Sequence, residues 1–343
     1  MKINAWAAKG PKQKLMPYTY EKKVGENDLL IKIQYCSLLK ADAFFIDNVW
    51  GDSKYPLIPS SEIFGVVIQK GIHVEDIQID DYIGVGYQVY SCLKCEYCLQ
   101  GTEQFCKKQR LIEVHENGGL GEYIIVNANF VYKIPVKLQK PEYVSLMGYG
   151  LTAYSAIKHS NLTQGMNVGI IGVGNLGHLA VQILSKLGLN VTAFSHSPEK
   201  IGRLKKLGVS NFVNPLDASL LEANKEKYDF LLVTTYHSYD WSQFIKLLKP
   251  EGILHFIGLP NENVSFPAVL LADYARRKVT GSYIGSRQDM QELLNFANHN
   301  DIKSIAQVYS VEDSNKIISL LRENNIFFNA VIEQSVPYAR QVF

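Results

Sequence analysis

A glycine-rich turn between a predicted strand and a predicted helix is the feature that most constrains the fold. The segment NVGIIGVGNLGHLA carries Gly172, Gly174 and Gly177 in the spacing G-x-G-x-x-G. An apolar strand precedes the turn and an amphipathic helix follows it, as a dinucleotide-binding turn requires. Gly172 would permit the tight turn, Gly174 would let the backbone approach a pyrophosphate, and Gly177 would allow the helix to pack on the strand. A glycine-rich turn without a ligand is the alternative interpretation.

The turn lies in a segment where strands and helices alternate, starting at about residue 152. MNVGIIGVG, NVTAFSH, YDFLLVTT, EGILHFIGL and VTGSYIG read as strands, with helices such as LGHLAVQILSKLG between them. This alternation predicts a doubly wound parallel sheet. The preceding residues instead hold short β-branched or aromatic runs, such as DLLIKIQYC, which predict a barrel-like β domain. We therefore predict an α/β protein with a first domain over residues 1–151, a second over 152–286 and a final segment over 287–343.

The end of the second strand in this alternation bears on the choice of dinucleotide. An NAD site places Asp or Glu about 20 residues after the turn to bind the ribose 2′-hydroxyl, but here no carboxylate precedes Glu199 in AFSHSPEK. Ser197 followed by Pro198 is also a typical helix start, and such a helix start is compatible with a role in binding the cofactor. The segment favours NADP(H), because hydroxyls and positive charge suited to a 2′-phosphate come from Ser195, His196, Ser197 and Lys200, with Arg203 one turn further along.

Four of the five cysteines lie close together as C-x2-C-x2-C-x7-C in SCLKCEYCLQGTEQFC. Four thiolates at this spacing can close a tetrahedral site for a structural zinc ion. A disulfide cluster and a redox-active C-x-x-C are the alternatives, and Cys36 reads as a small apolar strand residue. We predict one structural Zn²⁺ on a lobe spanning residues 90–107, approximately, held by Cys92, Cys95, Cys98 and Cys106.

The remaining composition argues against several classes of protein. The net charge is +2 and the Lys and Arg residues are scattered, so no basic stripe indicates nucleic-acid binding. The first residues, MKINAWAAKG, lack the apolar core of a secretory signal, and no apolar run is long enough to span a bilayer. We therefore expect a cytoplasmic protein whose thiols stay reduced.

With the cysteine array ahead of the dinucleotide turn, the chain resembles the zinc-containing medium-chain dehydrogenases/reductases along nearly its whole length. It looks most like the cinnamyl alcohol dehydrogenase-type NADP-dependent alcohol dehydrogenases: YPLIPSSEIFG resembles their YPxxPGHExxG, GYGLTAYSAIK their CAGxTxYxP and AFSHSPEK their FSxSxxK. The resemblance implies a GroES-like catalytic domain, a Rossmann domain, a final segment that returns to the catalytic domain, a small-molecule substrate and a homodimer through the Rossmann sheet edge. It also implies further cofactor contacts from Leu176 and, near the nicotinamide, from Thr152, Gly281 and Ser282.

The chain departs from this family at the second, catalytic zinc. The family's ligands are a Cys in C-G-x-C-H-x-D, the His of G-H-E and the Cys of C-A-G-x-T, and Ala41 stands where a proton-relaying Ser or Thr is expected. Asp42 and Glu62 match residues that chiefly support the metal's surroundings; with His115 they are an alternative site for some ion. Leucine and glycine offer no donor atom and serine is a poor zinc ligand. We expect no catalytic zinc, because the three ligand positions hold Leu39, Ser61 and Gly148.

Loss of that zinc changes the expected reaction. A zinc ion stabilises the alkoxide in aldehyde–alcohol interconversion, whereas an activated C=C bond or a quinone spreads the charge, so hydrogen-bond donors can suffice. We therefore expect hydride transfer from NADPH to an activated C=C, quinone or carbonyl substrate. A catalytically idle nucleotide-binding relative and an aldehyde reductase with a non-standard site are the alternatives.

Two residues are candidate proton donors, Lys40 and Tyr149. The alternative role of Lys40 is a contact with the cofactor phosphate. The alternative role of Tyr149 is side-chain packing. Among nearby residues, His178 reads as a packing or cap residue at its helix start. Three aromatic residues either line the substrate pocket or belong to the core: Phe44, Phe45 and Trp50.

Overall fold

The computed structural model describes residues 1–260, 262–326 and 328–334, and the chain divides into two compact units. One unit contains residues 1–148 and the chain from residue 286 onward, and the other contains residues 149–285. The predicted boundaries at 151/152 and 286/287 fall beside these limits. Within the described ranges, no helix combines the length and the apolar character that a membrane crossing would need.

Residues 1–148 form mainly short antiparallel strands, as predicted for a β-rich domain. Two features go beyond the sequence reading: β1 and β2 pair with one another, and the longest strand, β3, runs two residues beyond the predicted DLLIKIQYC. The α and β elements are β1 (Lys2–Ala7), β2 (Met16–Glu21), β3 (Asp28–Leu38), α1 (Lys40–Asp47), β4 (Ile63–Lys70), β5 (Tyr82–Val85), β6 (Gln88–Tyr90), α2 (Glu96–Leu99), β7 (Arg110–Leu111), β8 (Tyr123–Asn127) and β9 (Val131–Lys133).

Residues 149–285 form a six-stranded parallel sheet, which confirms the predicted doubly wound class. The elements are α3 (Tyr149–Lys158), β10 (Asn167–Ile171), α4 (Asn175–Lys186), β11 (Asn190–Phe194), α5 (Ile201–Lys206), β12 (Asn211–Val213), α6 (Ala218–Glu222), β13 (Tyr228–Val233), α7 (Trp241–Ile245), β14 (Leu248–Phe256), α8 (Val269–Ala272) and β15 (Lys278–Gly281). The strand order β12-β11-β10-β13-β14-β15 is that of a Rossmann fold, with its reversal between β10 and β13.

The central strands of this sheet are apolar because both of its faces are covered. Val168 to Ile171 of β10 and Phe230 to Val233 of β13 are buried without alternation, as expected for a parallel sheet between two helical layers. Every pairing in the sheet is parallel, so the carboxyl ends of all six strands lie at one edge. That edge is where ligands bind in open α/β sheets.

The chain from residue 286 adds strands to the sheet of the first unit. Its elements are α9 (Arg287–Asn300), β16 (Ala306–Ser310), α10 (Ser314–Arg322) and β17 (Asn329–Glu333). The first helix begins with a capping box, in which Ser286 Oγ accepts from the Asp289 N–H and Asp289 Oδ2 accepts from the Ser286 N–H. The resulting sheet has the order β16-β17-β3-β4-β5-β9, and β8 also pairs with β3.

Candidate cofactor, metal and proton-transfer sites

The structure brings the four clustered cysteines to one point on the loop around α2. Their Sγ atoms all lie within 4.8 Å of one another, and the Cys95–Cys98, Cys92–Cys106 and Cys92–Cys98 separations are 3.5, 3.6 and 4.0 Å. A tetrahedron with zinc–sulfur bonds of ~2.3 Å has edges of about 3.8 Å. None of these cysteines is in a disulfide. The separations therefore fit a tetrahedral zinc site and are too long for a disulfide cluster.

The thiols of the cysteine cluster differ in their pKa values. The Cys98 N–H lowers the pKa of the Cys95 thiol, but burial and the neighbouring cysteine side chains outweigh it and raise that pKa to about 11. Backbone N–H groups, chiefly that of Lys94, lower the pKa of the Cys92 thiol to about 6. A thiolate is the form that ligates zinc, and affinity rises when a ligand thiol ionises near neutral pH. Cys36 contrasts with this group, since it lies in the core and burial raises the pKa of its thiol to about 12.

The glycine turn follows β10 directly and leads into α4. Gly172 has φ +87°, a left-handed conformation that glycine adopts without strain, and a Cβ at Gly177 would clash with the Gly172 carbonyl oxygen. A Cβ at Gly174, by contrast, would meet no heavy atom of the described chain within 4 Å. The backbone is thus open at the middle glycine, beside the N-terminus of a twelve-residue helix. This cradle fits a pyrophosphate.

The predicted 2′-phosphate residues lie just after β11, the neighbour of β10. Ser195 is buried and its Oγ accepts from the Ser197 N–H at 3.2 Å. Ser197 stands at the N-cap of the turn Pro198–Lys200, with Pro198 at the turn's start, as the helix-cap alternative predicts, although its side chain makes no capping bond. Lys200 is half-buried, and burial lowers the pKa of its ammonium group. Leu176 lies in the first turn of α4 and Thr152 is buried in α3.

The predicted nicotinamide contacts Gly281 and Ser282 lie at the carboxyl end of β15. Ser282 Oγ is 2.9 Å from Nε2 of His255, a residue of β14 that sequence reasoning did not single out. The signal that would have found it is a histidine within the apolar strand EGILHFIGL. His178, in contrast, fits its predicted packing role: it is fully buried, and its Nδ1 lies 3.0 Å from the Gly174 carbonyl oxygen.

The three positions predicted to correspond to the family's catalytic-zinc ligands are Leu39, Ser61 and Gly148. Leu39 is buried and offers the Asp42 carboxylate only its backbone N–H. A Cβ at Gly148 would lie 2.7 Å from Oε1 and 2.8 Å from Cγ of the fully buried Glu62, so a cysteine there would displace that side chain. In the part of the chain that the structure describes, Asp42, Glu62 and His115 form no metal-binding group. His115 Nδ1 instead accepts from the Leu111 N–H.

Asp42 has a partner that the sequence did not reveal, the carboxyl group of Glu113. The two buried carboxyl groups hydrogen-bond to one another, and both accept from the Ser60 N–H, at 2.8 Å from Asp42 Oδ1 and 3.2 Å from Glu113 Oε1. Burial, and then the Asp42 charge, raise the pKa of Glu113 well above its ordinary value of 4.5. The pair therefore holds a proton to a higher pH than an isolated carboxyl group would.

The two candidate proton donors lie in different surroundings. Lys40 Nζ donates to the carbonyl oxygens of Leu321 at 2.7 Å and Arg322 at 2.9 Å, at the end of α10, and lies over the Phe44 ring. These contacts give Lys40 a structural role at a helix end, and its two predicted roles stay predictions. Tyr149 Oη is 3.4 Å from Tyr236 Oη, just after β13.

The three aromatic residues near α1 pack against one another. Trp50 makes edge contacts with Phe44 and Phe45, at ring-centroid distances of 5.5 and 4.8 Å. Phe45 belongs to the core of the first unit. The core alternative therefore holds for Phe45.

Comparisons with known proteins agree with this geometry. The family models described as "Alcohol dehydrogenase GroES-like domain" and "Zinc-binding dehydrogenase" match residues 25–136 and 175–299. An aldehyde reductase, AdhA, from Synechocystis sp. is 31% identical over 337 residues, which cover 97% of this chain and 99% of that protein.

Two solved structures show the same fold along nearly the whole chain. A cinnamyl alcohol dehydrogenase from Sorghum bicolor superimposes with a TM-score of 0.92 at 30% identity, covering 97% of this chain and 98% of that one. One from Helicobacter pylori, complexed with NADP(H), has a TM-score of 0.91 at 28% identity and covers 98% of this chain and 99% of its own.

The cysteine cluster predicts that the purified protein contains about one zinc ion per chain. Cys106→Ser should weaken zinc binding by more than about 100-fold, because changes to groups that merely support zinc ligands already cost 10–100-fold. The matched control is Cys36→Ala, which removes a cysteine outside the cluster and should leave the zinc content unchanged. Metal analysis after dialysis measures both; two zinc ions per wild-type chain would contradict the assignment.

The Asp42–Glu113 pair predicts a pH-dependent term in stability. The pKa of Glu113 is raised in the folded state. Its stabilising contribution to the free energy of unfolding is therefore complete below the unfolded-state pKa and is lost as the pH rises through the folded-state pKa. The loss is about 1.4 kcal/mol for each unit between the two pKa values. Glu113→Gln, which keeps the shape of the protonated acid, should flatten this decline in urea unfolding measured from pH 5 to 9. The exposed Glu75→Gln makes the same charge change and should not; equal slopes in the two variants would refute the shared proton.

Proposed function

The chain belongs to the zinc-type alcohol dehydrogenase family, and on that premise we propose that it is an NADP(H)-dependent reductase working without the family's catalytic zinc. Membership makes the protein an oxidoreductase; its cofactor, substrate and chemistry are the proposal. We infer an activated C=C, quinone or carbonyl compound as the substrate. One structural zinc ion would be held by the cysteine cluster.

The NADP(H) assignment is supported by the edge of the parallel sheet. The open backbone at Gly174 and the start of α4 suit the pyrophosphate. Ser195, Ser197 and Lys200 lie after the adjacent strand β11, where an NAD site would carry a carboxylate. The Helicobacter pylori relative is described as complexed with NADP(H), which agrees with this assignment.

The observation that carries the zinc-free chemistry is the packing of Glu62 against Gly148. The Glu62 side chain occupies the space that a cysteine side chain in place of Gly148 would need, and Leu39 offers no side-chain donor. Losing a Lewis acid removes several kcal/mol of transition-state stabilisation from carbonyl reduction. A substrate that delocalises its own negative charge is less affected by that loss.

The proposed reaction is a conjugate reduction. NADPH, when bound, supplies the hydride. The β-carbon of an enal or enone accepts it, the π electrons move to the carbonyl oxygen as an enolate, and protonation of the α-carbon completes the product. Tyr149 is the better donor candidate of the two predicted, because Lys40 already donates to two backbone carbonyl groups. Tyr236 Oη, 3.4 Å from Tyr149 Oη, would then reprotonate the Tyr149 phenolate.

Reduction of aldehydes in a non-standard site is the second candidate function. The Synechocystis relative is named an aldehyde reductase and the Sorghum bicolor relative a cinnamyl alcohol dehydrogenase, which favours it.

The proposed homodimer and the proposed cytoplasmic location are each supported by one observation. A homodimer is supported by β15, which lies at one edge of the six-stranded sheet and has three of its four residues exposed. A cytoplasmic location is supported by five cysteines outside disulfides.

Lys200→Ala should weaken NADPH binding by about 10–100-fold, since one charge-assisted hydrogen bond is worth about 1.5–3 kcal/mol. NADH binding should change less than about threefold, because NADH lacks the 2′-phosphate that Lys200 is proposed to hold. Fluorescence titration measures both, and Lys205→Ala on the exposed side of α5 is the matched control. An equal loss for NADPH and NADH would overturn the NADP(H) assignment.

Cinnamaldehyde distinguishes the proposed reaction from its rivals by product. Reduction of the C=C bond gives 3-phenylpropanal, and reduction of the carbonyl gives cinnamyl alcohol. We expect 3-phenylpropanal as the main product, with Tyr149→Phe slowing turnover by about 100-fold or more because it removes the proton donor. Chromatography of products formed with NADPH gives the answer.

Cinnamyl alcohol as the main product, or saturated aldehydes as the best substrates, would favour the aldehyde reductase. NADPH binding without turnover of any enal, enone, quinone or aldehyde would favour the idle relative.

A further inference from the structure

The His255 ring is held in place on three sides within the second unit. Its Nδ1 lies 2.8 Å from Thr280 Oγ1 and its Nε2 lies 2.9 Å from Ser282 Oγ. The ring also packs on Phe230, with ring centroids 6.0 Å apart. His255 and Thr280 are direct partners in the parallel pairing of β14 with β15, so the backbone register sets these contacts.

The sheet places Ser282 on the side where the second half of a dinucleotide lies. A Rossmann sheet consists of two mononucleotide-binding halves that meet at the reversal of strand order. Here the glycine turn and Ser195 follow β10 and β11 in one half, and Ser282 follows β15 in the other. Ser282 is exposed and its N–H donates to the Phe256 carbonyl at 3.0 Å, which fixes its backbone beside β14.

We propose that His255 is a positioning residue, which holds the Ser282 hydroxyl so that this hydroxyl meets the carboxamide of the nicotinamide ring. The proposal rests on the NADP(H) function proposed above. A hydroxyl on an exposed loop rotates among three orientations. The contact with the His255 ring selects one of them before the cofactor binds, and preorganisation of this kind strengthens binding by reducing the ordering that binding requires.

The ring is suited to this role because it stays neutral. Burial lowers the pKa of His255 to about 4, so one ring nitrogen donates and the other accepts at physiological pH. If Nε2 accepts the Ser282 proton, the Ser282 oxygen is left to accept from the carboxamide NH2. If Nε2 donates, the Ser282 O–H is left to donate to the carboxamide oxygen. Either tautomer gives Ser282 one defined role.

The test compares NADPH with 2′-phospho-ADP-ribose, which is the same dinucleotide without the nicotinamide ring. His255→Ala should weaken NADPH binding about tenfold and binding of the fragment less than twofold, as measured by calorimetry. His255→Gln, whose amide reaches toward the Nε2 position, should restore most of the NADPH affinity. A merely structural histidine would reduce both affinities alike and would not be rescued, and either result would overturn the proposal.

A double-mutant cycle checks that His255 acts through Ser282. Ser282→Ala should weaken NADPH binding to a similar extent, and adding His255→Ala should then weaken it less than twofold further. Additive losses would refute the proposal while leaving the proposed function intact. Wild-type protein that binds neither NADPH nor the fragment would instead overturn both.

Discussion

The parallel pairing of six strands in residues 149–285 is the constraint on which the candidate cofactor site depends. Because every strand runs the same way, the residues that follow β10, β11 and β15 gather at one edge. The open backbone at Gly174, the hydroxyl and ammonium groups from Ser195 to Lys200, and Ser282 would otherwise be scattered over about a hundred residues of chain. The fold thus builds a surface suited to an extended dinucleotide from three short, unrelated segments.

In the first unit, carboxyl groups occupy the surroundings in which the family places a catalytic zinc ion. Glu62 fills the space beside Gly148, and Asp42 pairs with Glu113 at the Ser60 N–H. Buried carboxyl groups are stable only when they are paired, hydrogen-bonded or protonated. Burial raises the pKa of both Asp42 and Glu113, and a proton held between them would reduce the repulsion that two buried charges would create.

The separation of contacting residues along the chain explains which features were predictable. The cysteine spacing and the strand–turn–helix context of the glycines are local, so the sequence reveals them directly. The role of Glu113 depends on residues 53 and 71 positions earlier in the chain, Ser60 and Asp42, and no local pattern marks it. The contacts of Lys40 with Leu321 and Arg322 span about 280 residues. The capping role of Lys40 was therefore invisible in the sequence.

By itself, the sequence determined the two-domain α/β class, the cysteine cluster, the dinucleotide turn and the missing zinc ligands, because each is a matter of residue type at a short, fixed spacing. Only the tertiary structure decided that Glu62 packs against Gly148, that the Asp42 and Glu113 carboxyl groups pair and that His255 contacts Ser282. Those contacts join separate strands and loops, and strand pairing with side-chain packing sets the distance between such groups.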